Sequence, residues 1–242
     1  RHQFGSGFDG PLCSATDGSE GRMINELSAL IPNSSMHLSG KAFYSGRSAF
    51  SAPSKIYCLG INPAGSAEEM FTDTVENHTD SVLRELPSEW SAYSDESWAG
   101  MQPGQSVMQR RVLHLARQLG LNPRSIPSSN IVFERSTRSS TFHGDLLSIA
   151  EMTWPFHQRV IQNLGVRVVV CFGGKTGKFV ANKLNARISA GCFIEDNQRN
   201  WRSFTLLNSE GVAVVTLTPP SVADWTKLKT DPTHLVTHLL NR

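Results

Sequence analysis

The segment VRVVVCFGG (166–174) determines the fold class, because residues 168–172 form an unbroken apolar run that ends at two glycines. KIYCLGI (55–61) has a similar run. Strands buried on both faces lack the polar and apolar alternation of half-exposed strands, and such runs are typical of parallel sheets between helices. Helical periodicity follows the first run in TGKFVANKL (176–184). These patterns predict an α/β fold, a three-layer α/β/α sandwich around a central, mostly parallel sheet.

Weaker patterns outside these two runs predict the remaining elements. SVMQRRVLHLARQLGL (106–121) has the apolar spacing of an amphipathic helix, and FTLLNSEGVAVVTLT (204–218) predicts a hairpin that turns at NSEG. Further predicted elements are helices at 22–31, 77–85, 145–164 (interrupted or bent near Pro155) and from about 232, and a strand at 130–134. Residues 1–20 are rich in Gly and Ser and predict a flexible tail, so residues 21–242 form the single predicted domain.

Composition restricts the class of protein. The 242 residues are 39% hydrophobic and 18% charged, which is ordinary for a soluble globular chain. No apolar run is long enough to span a bilayer, and no leader pattern opens the chain. The four cysteines form no C-x-x-C pair, which predicts no metal site. Cys58 and Cys171 lie inside apolar runs, which predicts buried thiols in a reducing compartment, such as a bacterial cytosol. The net charge of +2 permits a polyanionic partner without requiring one.

Three strand ends carry unusual residues: GINPAGS (60–66), ERSTRSS (134–140) and LTPPSVADW (217–225). Asn-Pro and Gly are common in turns, so GINPAGS has a purely structural interpretation. The carboxyl ends of parallel strands also meet at one edge of an open sheet, where such sheets bind ligands. These three segments are therefore candidates to line one pocket.

Four segments, in this order along the chain, resemble the uracil-DNA glycosylase superfamily. GINPAGS is close to the G-I-N-P-G motif of the mismatch-specific uracil/thymine-DNA glycosylase branch, and SNIVFERSTRSS (129–140) resembles the segment of that branch that begins with Asn. VVVCFGGKTGKF (168–179) resembles its strand–G-K–helix segment, and TLTPPSVADW (216–225) occupies the place of its final Pro-Ser loop. The resemblance covers roughly residues 42–226 and implies the fold of that superfamily.

The resemblance implies that Asn62 is the catalytic residue, holding a water near the anomeric carbon of the sugar. An amide only orients the water, and orientation suffices when the sugar becomes an oxocarbenium ion and the base leaves early. Asn130 would hold the flipped base, because an amide offers a donor and an acceptor to the edge of a pyrimidine, and a turn cap is the alternative. The residues implied in base binding are Gly60, Ile61, Pro63, Ala64, Gly65, Phe71 and Asn130.

The resemblance also implies contacts with DNA. Arg135 and Arg138, with hydroxyl groups between them, suit phosphate, and the alternative, favoured for either arginine taken alone, is a solvated loop. The final loop would drive a side chain into the gap left by the flipped base. The expected DNA contacts are Ser66, Arg135, Arg138, Lys175, Ser221, Val222, Asp224 and Trp225, the last three being the candidate wedges. The G-K segment is not a phosphate-binding P-loop, because Val169 stands where that motif needs Gly.

Two departures bear on the substrate. Thr218 stands where the members of the family that excise uracil fastest have His, which puts efficient uracil excision in doubt. Glu134, His143 and Thr218 are candidates to assist the reaction. The long polar stretch 65–105, which in the family supplies the aromatic floor under the base, here offers Phe71, Tyr93 and Trp98. Together these features favour a bulky modified cytosine of the kind that some bacteriophages carry, although the stretch would also serve as a simple lid or linker.

The function that the sequence predicts is a monomeric, monofunctional DNA N-glycosylase. It would flip a mismatched or modified pyrimidine out of DNA and hydrolyse its N-glycosidic bond, in base-excision repair or in defence against phage. The resemblance implies that no metal and no organic cofactor take part. Two alternatives stay open: a non-catalytic nucleic-acid-binding module on the same fold, and a hydrolase of free nucleosides or nucleotides.

Overall fold

The computed structural model describes residues 16–136 and 146–241, with side chains from residue 21 onward. The described helices are α1 Thr16–Ser28, α2 Asn33–Met36, α3 Arg47–Ser51, α4 Val75–Arg84, α5 Ala92–Asp95, α6 Val107–Gln118, α7 Leu146–Leu164, α8 Gly174–Lys183 and α9 His234–Leu240. The described strands are β1 Ile56–Gly60, β2 Ser128–Asn130, β3 Val168–Phe172, β4 Ile188–Ile194, β5 Arg202–Leu207 and β6 Ala213–Leu217.

The six strands form one sheet in the order β2-β1-β3-β6-β5-β4. The first four are parallel, with Cys58 opposite Ser128 and Val170, and Val170 opposite Val215. β5 and β4 continue the sheet as antiparallel strands. The fold is therefore a three-layer α/β architecture with a mixed, mostly parallel sheet, and the predicted fold class is confirmed.

Helices cover both faces of the parallel strands. On β1, neighbouring residues point to opposite faces. The hydroxyl of Tyr57 lies 2.8 Å from Nδ1 of His157 on α7, and Cys58 faces Val112 and Leu115 of α6 across a small void. All five positions of β1, β3 and β6 are buried as a result. This two-sided burial accounts for the unbroken apolar runs.

The structure refines several predicted elements. The predicted hairpin is confirmed as β5 and β6, joined through a turn in which the side chain of Asn208 accepts from Val212 N at 2.8 Å. β4 was not predicted. α7 runs as one helix through Pro155. α1 begins at Thr16, inside the segment predicted as a tail, and residues 1–15 lie outside the described part of the chain.

The predicted strand at 130–134 is wrong in position, because the strand is Ser128–Asn130. The apolar residues that follow remain extended but change partners. Val132 N still donates to Ile61 O at 3.0 Å, whereas Phe133 O accepts from Lys41 N and Arg135 N donates to Ser39 O. Residues 131–135 are thus held first by the end of β1, through Ile131 N and Gly60 O, and then by the segment 39–41, so the strand itself ends at Asn130.

Candidate active site

The carboxyl ends of β2, β1, β3 and β6 lie along one edge of the sheet, because these neighbouring strands are parallel. The segments that leave this edge contact one another. Ser136 N donates to Pro63 O at 3.2 Å, which joins the segments after β2 and β1, and Gly173 N donates to Leu217 O at 2.9 Å, which joins the ends of β3 and β6. The three segments singled out in the sequence therefore meet at the edge where open α/β sheets bind ligands.

The side chain of Asn62 is held in one orientation at this edge. Its Nδ2 donates to the carbonyls of Pro63 at 2.8 Å and Ser136 at 3.0 Å. Both carbonyls accept, so the amide is oriented with Nδ2 toward them and Oδ1 on the opposite side. No described residue donates to Oδ1. Asn62 is half-buried, so it presents an oriented acceptor that can position a water but cannot remove its proton.

Arg135 is buried and connects two segments of the chain, and its predicted role in contacting phosphate is wrong. The side chain is only 8% exposed. Its guanidinium donates to Ser39 Oγ at 3.1 Å and to Ala64 O at 2.6 Å, and pairs closely with Asp73. The guanidinium therefore connects the loop after β1 to the segment before α4. All these partners are remote in sequence, so the residue type alone suggested a surface contact.

Gly60 and Asn130 are in close contact at the ends of β1 and β2. An added Cβ on Gly60 would lie 2.1 Å from Asn130 Oδ1, so only glycine fits at position 60 beside this amide. Asn130 is 4% exposed, and its buried Nδ2 has no hydrogen-bond partner among the described residues. A buried donor without a partner costs free energy, and functional sites are where such groups occur. Asn130 can offer this donor to a ligand.

The other residues predicted to bind the base lie around Asn62. Pro63 is buried, Ile61 packs against the core and Ala64 is exposed. Gly65 has φ of +106°, a value that favours glycine, and lies beside Met70 and Arg135. The hydroxyl of Ser66, predicted to contact DNA, donates to Glu68 at 2.8 Å and accepts from Glu69 N.

A cluster of aromatic side chains lies beside Asn130, and its member Tyr44 was missed in the sequence. The ring of Tyr44 is 5.7 Å from that of Tyr93 and 6.3 Å from that of Trp98. Burial raises the pKa of Tyr44 above its ordinary value, and the nearby Asn130 amide, whose Nδ2 forms no hydrogen bond of normal geometry, acts on the same phenol in the opposite direction. No local pattern in FYSGR indicated this position. Phe71 is 71% exposed and has no ring contact with this cluster, and its role in base binding stays a prediction.

Glu96 fixes the position of Trp98. Its carboxylate accepts from Trp98 Nε1 at 2.7 Å and from Lys41 Nζ at 2.6 and 2.8 Å. Burial alone would raise the pKa of Glu96, but the His78 ring at 3.8 Å, the charge of Lys41 and the hydrogen bonds from Lys41 and Trp98 lower it to about 2. The carboxylate is therefore ionised at neutral pH and holds the indole in place.

The segment 218–225 has a buried base and an exposed tip. Trp225 is 0% exposed, with its ring 5.6 Å from that of Phe172 and its Nε1 donating to Thr218 O at 3.0 Å, so its prediction as a wedge is wrong. Asp224 accepts from the hydroxyl of Thr226 and pairs with Arg111 at 3.7 Å and with Lys227. These contacts lower the pKa of Asp224, the hydrogen bond from Thr226 most. Asp224 therefore anchors the segment and is not a free wedge, which corrects its prediction too.

The exposed tip consists of Ser221 and Val222, of which Val222 is 50% exposed. Val222 N donates to Pro219 O at 3.1 Å, and Arg111 donates to Pro220 O at 2.7 Å, so contacts on both sides hold the turn. Of the three predicted wedge residues, Val222 alone projects its side chain into solvent. The tip lies at the same edge of the sheet as Asn62.

The remaining predicted residues are dispersed. Thr218 is buried, and its Oγ1 has no hydrogen-bond partner among the described residues. Glu134 accepts from Ser35 Oγ at 3.4 Å, and burial raises the pKa of its carboxyl. Lys175 is exposed in the first turn of α8. Arg138 and His143 lie outside the described residues.

Two further properties of the described residues concern metal-binding groups and membrane-spanning helices. Within residues 16–136 and 146–241, no three or more His, Cys, Asp and Glu side chains are grouped to hold a metal ion. None of the described helices has the length and apolar character needed to cross a bilayer.

Neither a protein-family model nor a curated protein matches the chain.

Proposed function

We propose that this protein is a DNA N-glycosylase of the uracil-DNA glycosylase superfamily, acting on a mismatched or modified pyrimidine. The supporting observation is the orientation of Asn62, whose Nδ2 is held by two backbone carbonyls while no described residue donates to Oδ1. The segments that resemble the superfamily also include the carboxyl ends of β1, β2, β3 and β6, which lie along one edge of the sheet.

The proposed reaction is a hydrolysis in which the sugar and base separate before water is fully bonded. The bond between C1′ and the base nitrogen breaks, and the base leaves with the electron pair. A water that donates to Asn62 Oδ1 adds to the oxocarbenium ion at C1′, and its proton passes to solvent or to the departing base. Positioning by one amide is sufficient for such a late nucleophile. The products are a free base and an abasic site.

In this proposal the base lies between Asn130 and the aromatic cluster. The buried Nδ2 of Asn130 would donate to an acceptor on the edge of the pyrimidine. Trp98, fixed by Glu96, and Tyr44 would contact its face. Val222 would fill the gap that the flipped nucleotide leaves in the duplex, as an apolar wedge. Extrusion costs a few kcal/mol and less for weakly paired bases, which contributes to selectivity.

The proposed substrate is a base other than plain uracil, and a bulky modified cytosine of phage DNA is the first candidate. Thr218 supplies one small buried hydroxyl where a histidine would supply an imidazole to the departing base. The enzyme would act as a monomer in the cytosol, without metal or organic cofactor, in base-excision repair or in defence against phage.

The test is incubation of the protein with duplexes that contain uracil, mismatched thymine or modified cytosines, followed by alkali, which breaks the strand at abasic sites. We expect breaks with at least one substrate and a loss of about 100-fold in single-turnover rate for Asn62→Ala. The matched control is Asn163→Ala, which removes an exposed amide on α7. Binding without breaks would favour a non-catalytic module, and base release from free nucleosides alone would favour a nucleoside hydrolase. Either result would contradict the proposal.

A further inference from the structure

The turn between β4 and β5, residues 195–201, lies beside the tip of the segment 218–225. Because β5 is antiparallel to β6, it begins at the edge where β6 ends. Arg199 Nη1 donates to Val222 O at 3.3 Å, and Asp196 N donates to Lys229 O at 2.9 Å. The turn therefore extends the edge of the sheet that carries Asn62, on the side beyond β6.

The exposed side chains of this turn are cationic and aromatic. The guanidinium of Arg199 lies 4.2 Å from the centre of the Trp201 ring. Arg202 is exposed and has no acidic partner among the described residues. Lys227 and Lys229 are exposed next to the turn. Asp196 pairs with Lys229 at 3.2 Å, Glu195 with Arg199 at 3.5 Å and Asp224 with Lys227 at 3.5 Å. Arg202 adds a further cation to these pairs, so the surface keeps a positive surplus of one charge.

The backbone of the turn is held by buried polar contacts. Glu195 is 1% exposed, and its carboxylate accepts from Asn197 Nδ2 at 2.8 Å. Asn197 Oδ1 in turn accepts from Arg199 N at 2.9 Å and from Asn200 N at 3.2 Å. The turn therefore presents Arg199, Trp201 and Arg202 from a fixed backbone. A preorganised surface loses less entropy on binding than a mobile one.

We propose that residues 198–202, with Lys227 and Lys229, form a second DNA-binding surface, which we call the hairpin surface. Its cations would bind backbone phosphates of the duplex beyond the flipped nucleotide, and Trp201 would contact a sugar or an exposed base. This inference rests on the proposed function, since that function supplies the DNA at the neighbouring edge. It adds a contact that the resemblance to the glycosylases does not imply.

The test is equilibrium binding of the full chain to a fluorescent duplex with a tetrahydrofuran abasic analogue, which cannot be cleaved, measured by anisotropy at several salt concentrations. Arg202→Ala/Lys229→Ala removes two exposed cations, and with Lys229 it also removes one exposed ion pair, that with Asp196. We expect about 10-fold weaker binding at physiological salt and a salt slope smaller by about 2. Trp201→Ala should weaken binding about 5-fold or more.

The matched control is Arg167→Ala/Arg187→Ala, because these exposed arginines precede β3 and β4 at the opposite edge of the sheet. We expect this variant to bind like the wild type. Equal losses in both double variants, or unchanged binding in the hairpin variants, would overturn the inference. Circular dichroism confirms that each variant is folded, and Lys227→Ala/Lys229→Ala replaces the first pair if that pair fails to fold.

Strand breakage separates this inference from the proposed function. If wild-type protein breaks modified duplexes but the hairpin variants bind normally, the glycosylase stands and the hairpin surface is wrong. If wild-type protein binds the duplex without breaking any, and the hairpin variants lose affinity, the hairpin surface stands and the glycosylase is wrong. Wild-type protein that binds no DNA would overturn both.

Discussion

The parallel and antiparallel parts of the sheet differ in how they are covered. All residues of β2, β1, β3 and β6 are buried, whereas β4 has five exposed positions among seven. The parallel strands lie between α7 and α8 on one face and α6 on the other. The antiparallel strands extend beyond these helices. Asn62 follows β1 and Asn130 ends β2, so both amides belong to the parallel part, whereas the proposed hairpin surface belongs to the antiparallel part.

This difference has a physical reason. A strand packed on both faces cannot shift without opening the core, so the loops that leave it keep their positions to within the tolerance that catalysis requires. Contact with a polyanion needs charge on an accessible surface and tolerates a less exact position. The two parts of the sheet therefore suit different tasks, and three substitutions test the comparison between them.

The largest effect is expected for Arg135→Met at the end of the parallel part. The substitution leaves Asp73 without its guanidinium and frees the carbonyl of Ala64, so the free energy of unfolding should fall by about 3 kcal/mol, measured by urea denaturation. The control is Arg124→Met, which breaks a more exposed pair with Asp95 and should cost about 1 kcal/mol or less. Unchanged stability together with weakened DNA binding in Arg135→Met would contradict this expectation. It would support the predicted contact of Arg135 with phosphate, which the burial of the side chain argues against.

The sequence predicted the parallel part better than the antiparallel part, for the same reason of burial. Unbroken apolar runs identified β1 and β3, and the NSEG turn identified the β5–β6 hairpin. β4 was not predicted, because its sequence ISAGCFI mixes small, polar and apolar residues on a strand that is largely exposed. The strand β2 was placed two residues too late, since burial of the apolar residues of IVF does not require strand pairing: the ring of Phe133 packs against Phe156 and His157 of α7.

The sequence indicated which residues of the candidate site have suitable chemical groups. It did not indicate which of them are buried by residues distant in the sequence. Gly60 and Asn130 were both predicted to bind the base, but their contact was not predicted, because the predicted strand began at Asn130 whereas the observed strand ends there. The burial of Trp225 depends on Phe172 and Thr218, and that of Arg135 depends on Ser39 and Asp73. Tyr44 enters the site from a segment that precedes β1, with no motif of its own. Residue types alone cannot show such contacts.

An intermediate effect is expected from His157, which lies beneath β1. Burial lowers its pKa from 6.5 to about 3, and the backbone of Asn130 acts in the opposite direction. Between these two values the unfolded chain binds more protons than the folded one, so stability falls as the pH falls. At pH 5, which is 1.5 units below the unfolded value, the loss is about 2 kcal/mol.

Replacing His157 by Gln removes this titration. The drop in unfolding free energy between pH 7.5 and pH 5 should then be smaller by about 2 kcal/mol than in the wild type. His78, whose pKa burial also lowers, contributes in the same direction in both proteins and leaves a residual slope. Urea denaturation at the two pH values measures both drops. Equal drops in the two proteins would show that His157 is protonated in the fold, and the parallel part would then contain a buried charge.

The smallest effect is expected for isoleucine-to-valine substitutions. They are made at the first position of one strand in the parallel part and one strand in the antiparallel part of the sheet. Ile56 in β1 is 2% exposed and Ile188 in β4 is 58% exposed. Ile56→Val removes a buried methylene and should cost about 1 kcal/mol, whereas Ile188→Val should cost less than about 0.5 kcal/mol in the same urea assay. If the two costs are equal, a group outside the described residues or a second copy of the chain covers β4. A dependence of the Ile188→Val cost on protein concentration would identify the second copy, and the contrast between the two parts would then hold only for the isolated chain.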